Sequence, residues 1–319
     1  MAVRKQDISS GQAAPSMAEL ADRHELYEES VQNVEEECEF VTKRFSEIRG
    51  RTALSFREDF CGTASAACEW VRQGPQHSAI GVDIDPEVLD WGRENRLNRL
   101  TNEQRERLTL IECDVMTVSS QTVDVVGAFN FSYFLFKKRA EMLRYFRTVY
   151  DALKDDGIFF LDAFGGYEAF EEMKEKTKQD GFSYIWHQAK YYPVTGELLC
   201  HIDFKFPDGS RMKKAFTYDW RLWTLPEILE LLDESGFSKS TVYWEGTDED
   251  GEGDGIFTPE EKGEADAVAP RVAHAGSSVS PSDVRDNIRR SRATRSRAYH
   301  GDPLVSHRTG IPARGSRGR

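Results

Sequence analysis

The segment Ala53-Leu54-Ser55-Phe56-Arg57-Glu58-Asp59-Phe60-Cys61-Gly62-Thr63-Ala64, with Ala79-Ile80-Gly81-Val82-Asp83-Ile84-Asp85 after it, constrains this chain more than any other stretch. It reads as strand, tight turn, helix and second strand, with an acidic residue at the tip of that second strand. A doubly wound α/β sheet holds an adenosine-containing cofactor in this way, with backbone amides at the first turn and a carboxylate for the ribose hydroxyls. A dinucleotide site wants three glycines, so that the turn can approach a pyrophosphate. Here one is certain, Gly62. The pattern therefore favours a cofactor without phosphates.

The sequence that follows continues the alternation. Ser65–Gln73 is expected as a helix broken by Gly74-Pro75, Ser78–Val82 as a strand, and Asp85-Pro86-Glu87 as a capped helix start running to about Arg99. Strands are expected at Leu108–Glu112, Val123–Asn130 and Ile158–Asp162, with a long amphipathic helix over Arg139–Leu153. Such alternation predicts an α/β fold with a doubly wound, mostly parallel sheet. Ala18 to about Arg49 reads as a helical cover in front of it. After strand five the rhythm changes to aromatic-rich alternation, with turn signals at Thr195-Gly196 and Asp208-Gly209, so residues 181–220 are expected as an antiparallel β insert. A helix from Thr224 and a late strand at Ser240–Trp244 close the domain, taken as 18–244.

Charge sets the outer limits. The chain of 319 residues has a formal net charge of −13. From Val268 to Arg319 there are eleven Arg, no Lys and three Asp, a net +8 that leaves −21 on the remainder. Glu245–Asp266 holds ten acids and a single Lys. Residues 1–17 are expected to be disordered, 245–266 an acidic linker, and 267–319 an Arg-rich unfolded tail, because each offers little apolar surface to bury. The switch to Arg without Lys fits either a functional basic tail or an altered reading frame at the gene end. A strongly acidic body disfavours nucleic acid as a partner. With no apolar run of about 18 residues and no secretory leader, a cytoplasmic location is expected. The five cysteines, Cys38, Cys61, Cys68, Cys113 and Cys200, are unpatterned and read as reduced thiols.

Five segments in order resemble the class I S-adenosylmethionine-dependent methyltransferases over roughly Ala18–Trp244. Glu58–Ala64 looks like that family's first motif and Val82-Asp83-Ile84-Asp85-Pro86 like its second. Glu112-Cys113-Asp114-Val115-Met116 looks like the third, Val123–Asn130 like the fourth, and Leu153–Phe160 like the turn into strand five. The resemblance implies S-adenosylmethionine as cofactor and methyl transfer as the activity. It implies Asp83 on the ribose and Asp114 on the adenine, with Ile84, Val115 and Asn130 also among the cofactor-binding residues. Phe60, Cys61, Gly62 and Thr63 would border the methionine portion, with Glu58 orienting that turn or reaching the amino group through water. Two positions depart from the pattern. Phe60 stands at a usual glycine and Ala64 at the last one, and the Phe60 ring either packs over the cofactor or turns into the core.

Other residues keep two readings. Asn130, with Ser132 and Tyr133 after it, either lines the acceptor site or caps the turn after strand four. Cys61 reads as a packing residue, and Tyr27 as helix packing or a flap over the cofactor. His187 and His201 lack partners at metal spacing, so no metal is expected. The rings of the insert, Tyr184, Trp186, Tyr191, Tyr192, Phe204, Phe206, Phe216 and Tyr218, form a cover suited to a small-molecule acceptor, or else the insert's own core or a homodimer interface. A non-catalytic Rossmann-like scaffold and a nucleotide-dependent oxidoreductase are the rival functions. Finally, a sheet of this kind closes with an antiparallel seventh strand, and Ala265–Pro270 with the Arg-rich sequence after it is poor material for one. That strand is expected to be weak or missing.

Overall fold

The computed structural model describes residues 14–247, 253–259 and 271–275. Three helices open it: α1 (Met17–Leu20), α2 (Arg23–Val31) and α3 (Val34–Arg49). The single helical pattern seen in the sequence is broken by caps. The Asp22 side chain accepts from the amides of His24 and Glu25, and Asn33 accepts from Glu36. Gly50, at φ +69°, ends α3 in the left-handed conformation that costs glycine least.

The sheet and its helices follow as β1 (Ser55–Asp59), α4 (Ser65–Arg72), β2 (Ser78–Asp83), α5 (Pro86–Asn95), a short α6 (Asn102–Arg105), β3 (Leu108–Glu112), β4 (Val123–Ala128), α7 (Arg139–Ala152) and β5 (Leu153–Asp162). Next come β6 (Met173–Lys178), β7 (Ser183–Tyr192), β8 (Glu197–Lys205), β9 (Arg211–Arg221), α8 (Leu225–Glu234), β10 (Lys239–Thr247), β11 (Gly253–Pro259) and β12 (Arg271–Ala275).

The main sheet has the order β11-β10-β12-β5-β4-β1-β2-β3. Strands β3, β2, β1, β4 and β5 are parallel, and the order reverses between β1 and β4. That reversal opens a crevice at the carboxyl ends of the strands, where ligands bind in sheets of this type. Residues β6–β9 form a separate four-stranded antiparallel sheet. Its first strand, rich in lysine, was not expected from the sequence.

The closing strand corrects the sequence reading. Arg271–Ala275 lies antiparallel between β5 and β10, with Arg271 opposite Asp162 and Ala275 opposite Ile158. The supposed linker likewise contributes β11, paired antiparallel to β10, and Phe257 is buried against Phe40. Residues 1–13, 248–252, 260–270 and 276–319, on which most of the expected terminal disorder and acidic linker fall, lie outside the described residues.

Side-chain alternation along β1 divides the core. Phe56 joins the layer made by α3 and α4, with Phe40, Val41, Phe45, Trp70 and Val71. The opposite layer is built on α7 and α8, through Met142, Tyr145, Phe146, Val149, Ile228, Leu231 and Leu232. Leu198, Cys200 and Trp220 of the insert belong to that same cluster, so the second sheet is fused to the main core. Among the described residues, no helix is long and apolar enough to cross a membrane.

Candidate cofactor and acceptor site

The β1–α4 turn takes its shape from three left-handed residues, Phe60 (φ 59°), Gly62 (φ 52°) and Ala64 (φ 60°). Two of these carry a Cβ, a conformation that costs of order 1 kcal/mol each and must be held by its surroundings. The restraints are visible. The Cys61 amide donates to Val82 O at 2.9 Å and the Gly62 amide to Asp83 Oδ2 at 2.8 Å. Gly92 of α5 lets that helix approach the turn: a Cβ there would lie 2.5 Å from Thr63 O.

Glu58 faces the α4 layer, and its Oε2 accepts from the Ala67 amide at 2.9 Å. Ala64, at the N-cap, has no side-chain acceptor, so Glu58 satisfies an amide of the first turn from outside the helix. Burial pushes its carboxyl up to about 8, against the Ala67 bond. Of its two expected roles, the orienting one matches this contact. Arg57 and Asp59 face the other way and form a buried ion pair at 2.8 Å, with Tyr145 Oη donating to Asp59 at 3.0 Å. The Phe60 ring lies over this group, with centroids 5.5 Å from Tyr145 and 6.0 Å from Phe136. It turns toward the core. Cys61 is buried, and burial raises its thiol well above the ordinary range, as suits a packing residue.

At the end of β2, the Asp83 carboxylate is oriented by two amides, Gly62 on Oδ2 and Asp85 on Oδ1 at 3.0 Å. Each oxygen keeps a lone pair for a further donor. Ile84, beside it, is 67% exposed. Asp114 is exposed at the end of β3 and accepts from the Met116 amide at 2.8 Å, while Val115 is buried beneath.

Beyond β4, Asn130 and Phe131 are both left-handed, at φ 57° and 56°. Their amides donate to the two oxygens of Asp162 at 2.7 and 2.9 Å. Ser132 Oγ bonds back to Phe129 O. Tyr133 does not line the crevice: its ring is fully buried and its hydroxyl donates to Asp162 O at 2.6 Å. Tyr133 followed the strand in sequence but turned inward with the 3₁₀ helix at Ser132–Leu135. Asp162, which sequence reading passed over, organises this loop.

The covers meet over these strand ends. Trp186 lies 6.2 Å from Trp220 and 6.2 Å from Phe164, Trp220 lies 6.3 Å from Phe131, and Tyr218 stacks on Trp220 at 4.4 Å. Tyr27 of α2 packs 4.9 Å from Phe216. On the other side of α2, Glu28 accepts from Thr63 Oγ1 at 2.6 Å and Ser65 Oγ at 2.7 Å, and Arg96 binds the same carboxylate. Glu28, Ser65 and Arg96 also line a cavity of about 240 Å³ with Cys68, Arg72 and Arg99, which none of Asp83, Asp114 or Asn130 borders. His187 and His201 face each other across β7 and β8 at 5.7 Å, and no group of three metal-ligating side chains occurs among the described residues.

Residues 61–159 match the family model of a methyltransferase domain. A protein of Geobacillus sp. (strain WCH70), to which a methyltransferase activity is provisionally assigned, is 23% identical over 224 residues, 66% of this chain and 84% of that protein. A solved S-adenosylmethionine-dependent methyltransferase from Clostridium acetobutylicum ATCC 824 superposes with a TM-score of 0.61 at 14% identity, covering 80% of this chain and 98% of that one. An amino pentose methyltransferase from Micromonospora echinaspora, solved with S-adenosylmethionine bound, gives 0.57 at 14% identity over 79% and 95%. A sequence match from the β1–α4 turn into β5 and a fold match over most of the chain agree with the sheet order: residues 61–159 are similar to a methyltransferase domain, and the described fold is that of solved S-adenosylmethionine-dependent methyltransferases.

Proposed function

We propose that this protein transfers a methyl group from S-adenosylmethionine to a small molecule bearing an amine. The observation that carries the cofactor reading is the Gly62–Asp83 contact, in which a one-glycine turn orients a carboxylate that still has lone pairs for a ribose diol. The remaining residues fit the same ligand. Asp114 would accept from the adenine amino group, Ile84 would flank the ring, with Val115 supporting the loop from beneath, and the backbone of Phe60–Thr63 would meet the methionine portion. A Cβ on Gly62 would find nothing of the protein nearer than 4.0 Å, so the turn is open where such a ligand would lie.

Adenosylmethionine, when bound, supplies a methyl group already activated on a sulfonium. The chain's own residues then have to bind, align and exclude water. The methyl group would pass to the acceptor nitrogen, the C–S electron pair remaining on sulfur and a proton leaving the nitrogen. The rings of Trp186, Tyr218 and Trp220 suit a positively charged centre. An amino sugar is the acceptor class named for the solved amino pentose methyltransferase, which supports an amine here.

Isothermal titration of the full chain with S-adenosylhomocysteine and with NAD tests the reading. Binding of the first and not the second is expected; the reverse would refute it. Asp83→Ala should weaken S-adenosylhomocysteine about 100-fold, the equivalent of two charged hydrogen bonds, and unchanged affinity would remove the ribose assignment.

A further inference from the structure

Helix α2 touches both halves of the site through adjacent residues. On one side is Glu28. Its Oε1 accepts from Thr63 Oγ1 at 2.6 Å and Ser65 Oγ at 2.7 Å, and its Oε2 from Arg96 Nε at 2.7 Å. Both partners of that ion pair are mostly buried, with side chains 13% and 12% exposed. On the other side is Tyr27, whose ring packs on Phe216 and whose hydroxyl shares a hydrogen bond with Tyr218. Neighbouring residues of a helix sit about 100° apart around its axis, so one rotation of α2 sets both contacts.

Further contacts of α2 run to the same neighbours: His24 lies 5.1 Å from the Trp91 ring and 5.9 Å from Phe216, and the Arg23 guanidinium 5.7 Å over Phe216. The helix is nine residues long, with Leu26 as its one buried residue, and a helix of that length is marginal without tertiary contacts. Its hydrogen-bonded pin at the N-terminus is Asp22, which caps α2 and accepts from Trp91 Nε1 at 2.7 Å, while the Arg96 guanidinium lies 4.7 Å over the Trp91 ring. Trp91 lies within α5, the helix that Gly92 lets rest on Thr63 O, and Arg96 caps its C-terminus. Every pin of α2 on this side thus leads back to the turn after β1 or to the helix packed on it.

We propose that Glu28 is a positioning residue that couples the two halves of the site. A ligand resting on the turn at 60–64 stiffens Thr63 and Ser65; these hold Glu28, Glu28 fixes the rotation of α2, and Tyr27 completes the acceptor wall. The inference rests on the cofactor reading of the turn given above.

Hydrogen exchange of the full chain, with and without S-adenosylhomocysteine, tests it. In the wild type the ligand should slow exchange about tenfold or more both in 60–68 and in the α2 segment 23–31. In Glu28→Gln, which keeps the shape but not the charge, protection of 60–68 should persist while that of 23–31 falls below about threefold. A merely structural role would speed α2 exchange equally in both ligand states and leave the ratio unchanged; that result overturns the proposal. Ser65→Ala removes one Glu28 partner without stranding a charge, and should lower the α2 ratio in the same direction. Protection of 60–68 with no effect on α2 in the wild type would overturn the coupling alone. Protection nowhere would remove the cofactor reading, and the coupling with it.

Discussion

Glu58 gives the protein a stability term that falls as pH rises. Its carboxyl goes from an ordinary 4.5 to about 8 in the folded chain, chiefly through burial. Between those values the folded state holds a proton that the unfolded chain releases, so each rise of one pH step costs up to about 1.4 kcal/mol. The contribution is complete below pH 4.5 and is lost as pH rises through about 8. From pH 5.5 to 7.5 the loss from this one residue is about 2.5 kcal/mol. Glu58→Gln keeps the size and an oxygen for the Ala67 amide, and it has no proton to lose. Urea unfolding of both proteins at pH 5.5, 6.5 and 7.5 should therefore show curves that diverge, the variant gaining about 2.5 kcal/mol on the wild type over that interval. Other titrating groups are shared and cancel. Parallel curves, within about 0.5 kcal/mol, would mean that Glu58 ionises near its ordinary value, and the account of the α4 terminus would fail.

Two substitutions separate support of the turn from contact with ligand. Gly92→Ala places a Cβ 2.5 Å from Thr63 O, and should lower stability by about 2 kcal/mol and weaken S-adenosylhomocysteine, read by denaturant melts and titration; a neutral result would show that α5 does not shape the turn. Ile84→Ala removes a side chain that is 67% exposed, so the melt should not move while affinity drops about tenfold, the cost of losing two or three apolar carbons from an adenine contact. Equal affinity would take Ile84 out of the site.

What could be read from the sequence was local. β3 runs over Leu108–Glu112 as expected, and the carboxylates of Asp83 and Asp114 sit at strand ends because a period of two and an acid after the apolar run suffice to mark them. The missed features depend on partners far away in the chain. Met173–Lys178 has the charge of a loop and is a strand because β7 offers it an edge. Arg271–Ala275 follows a proline in an Arg-rich run and is a strand because β5 and β10 leave a gap between them. Glu28, Arg96 and Asp22 read as ordinary surface charges on amphipathic helices, and only the fold brings them to Thr63 and Trp91. Tyr133 fails for the opposite reason: it follows β4 in sequence, yet the 3₁₀ turn sends its side chain down instead of out.

The place of β12 has a consequence for synthesis. Buried Ile158–Leu161 of β5 pair on one side with β4 and on the other with residues more than a hundred positions later. Without Arg271–Ala275, β5 would be an open edge of the sheet, and β10 and β11 would have no strand linking them to it. A nascent chain in that state exposes an apolar strand with unpaired amides and carbonyls, the kind of edge on which chains self-associate. Among the described residues β12 is the last strand along the chain and the one that closes this edge, so a chain that stops short of Arg271 leaves β5 unpaired on that side.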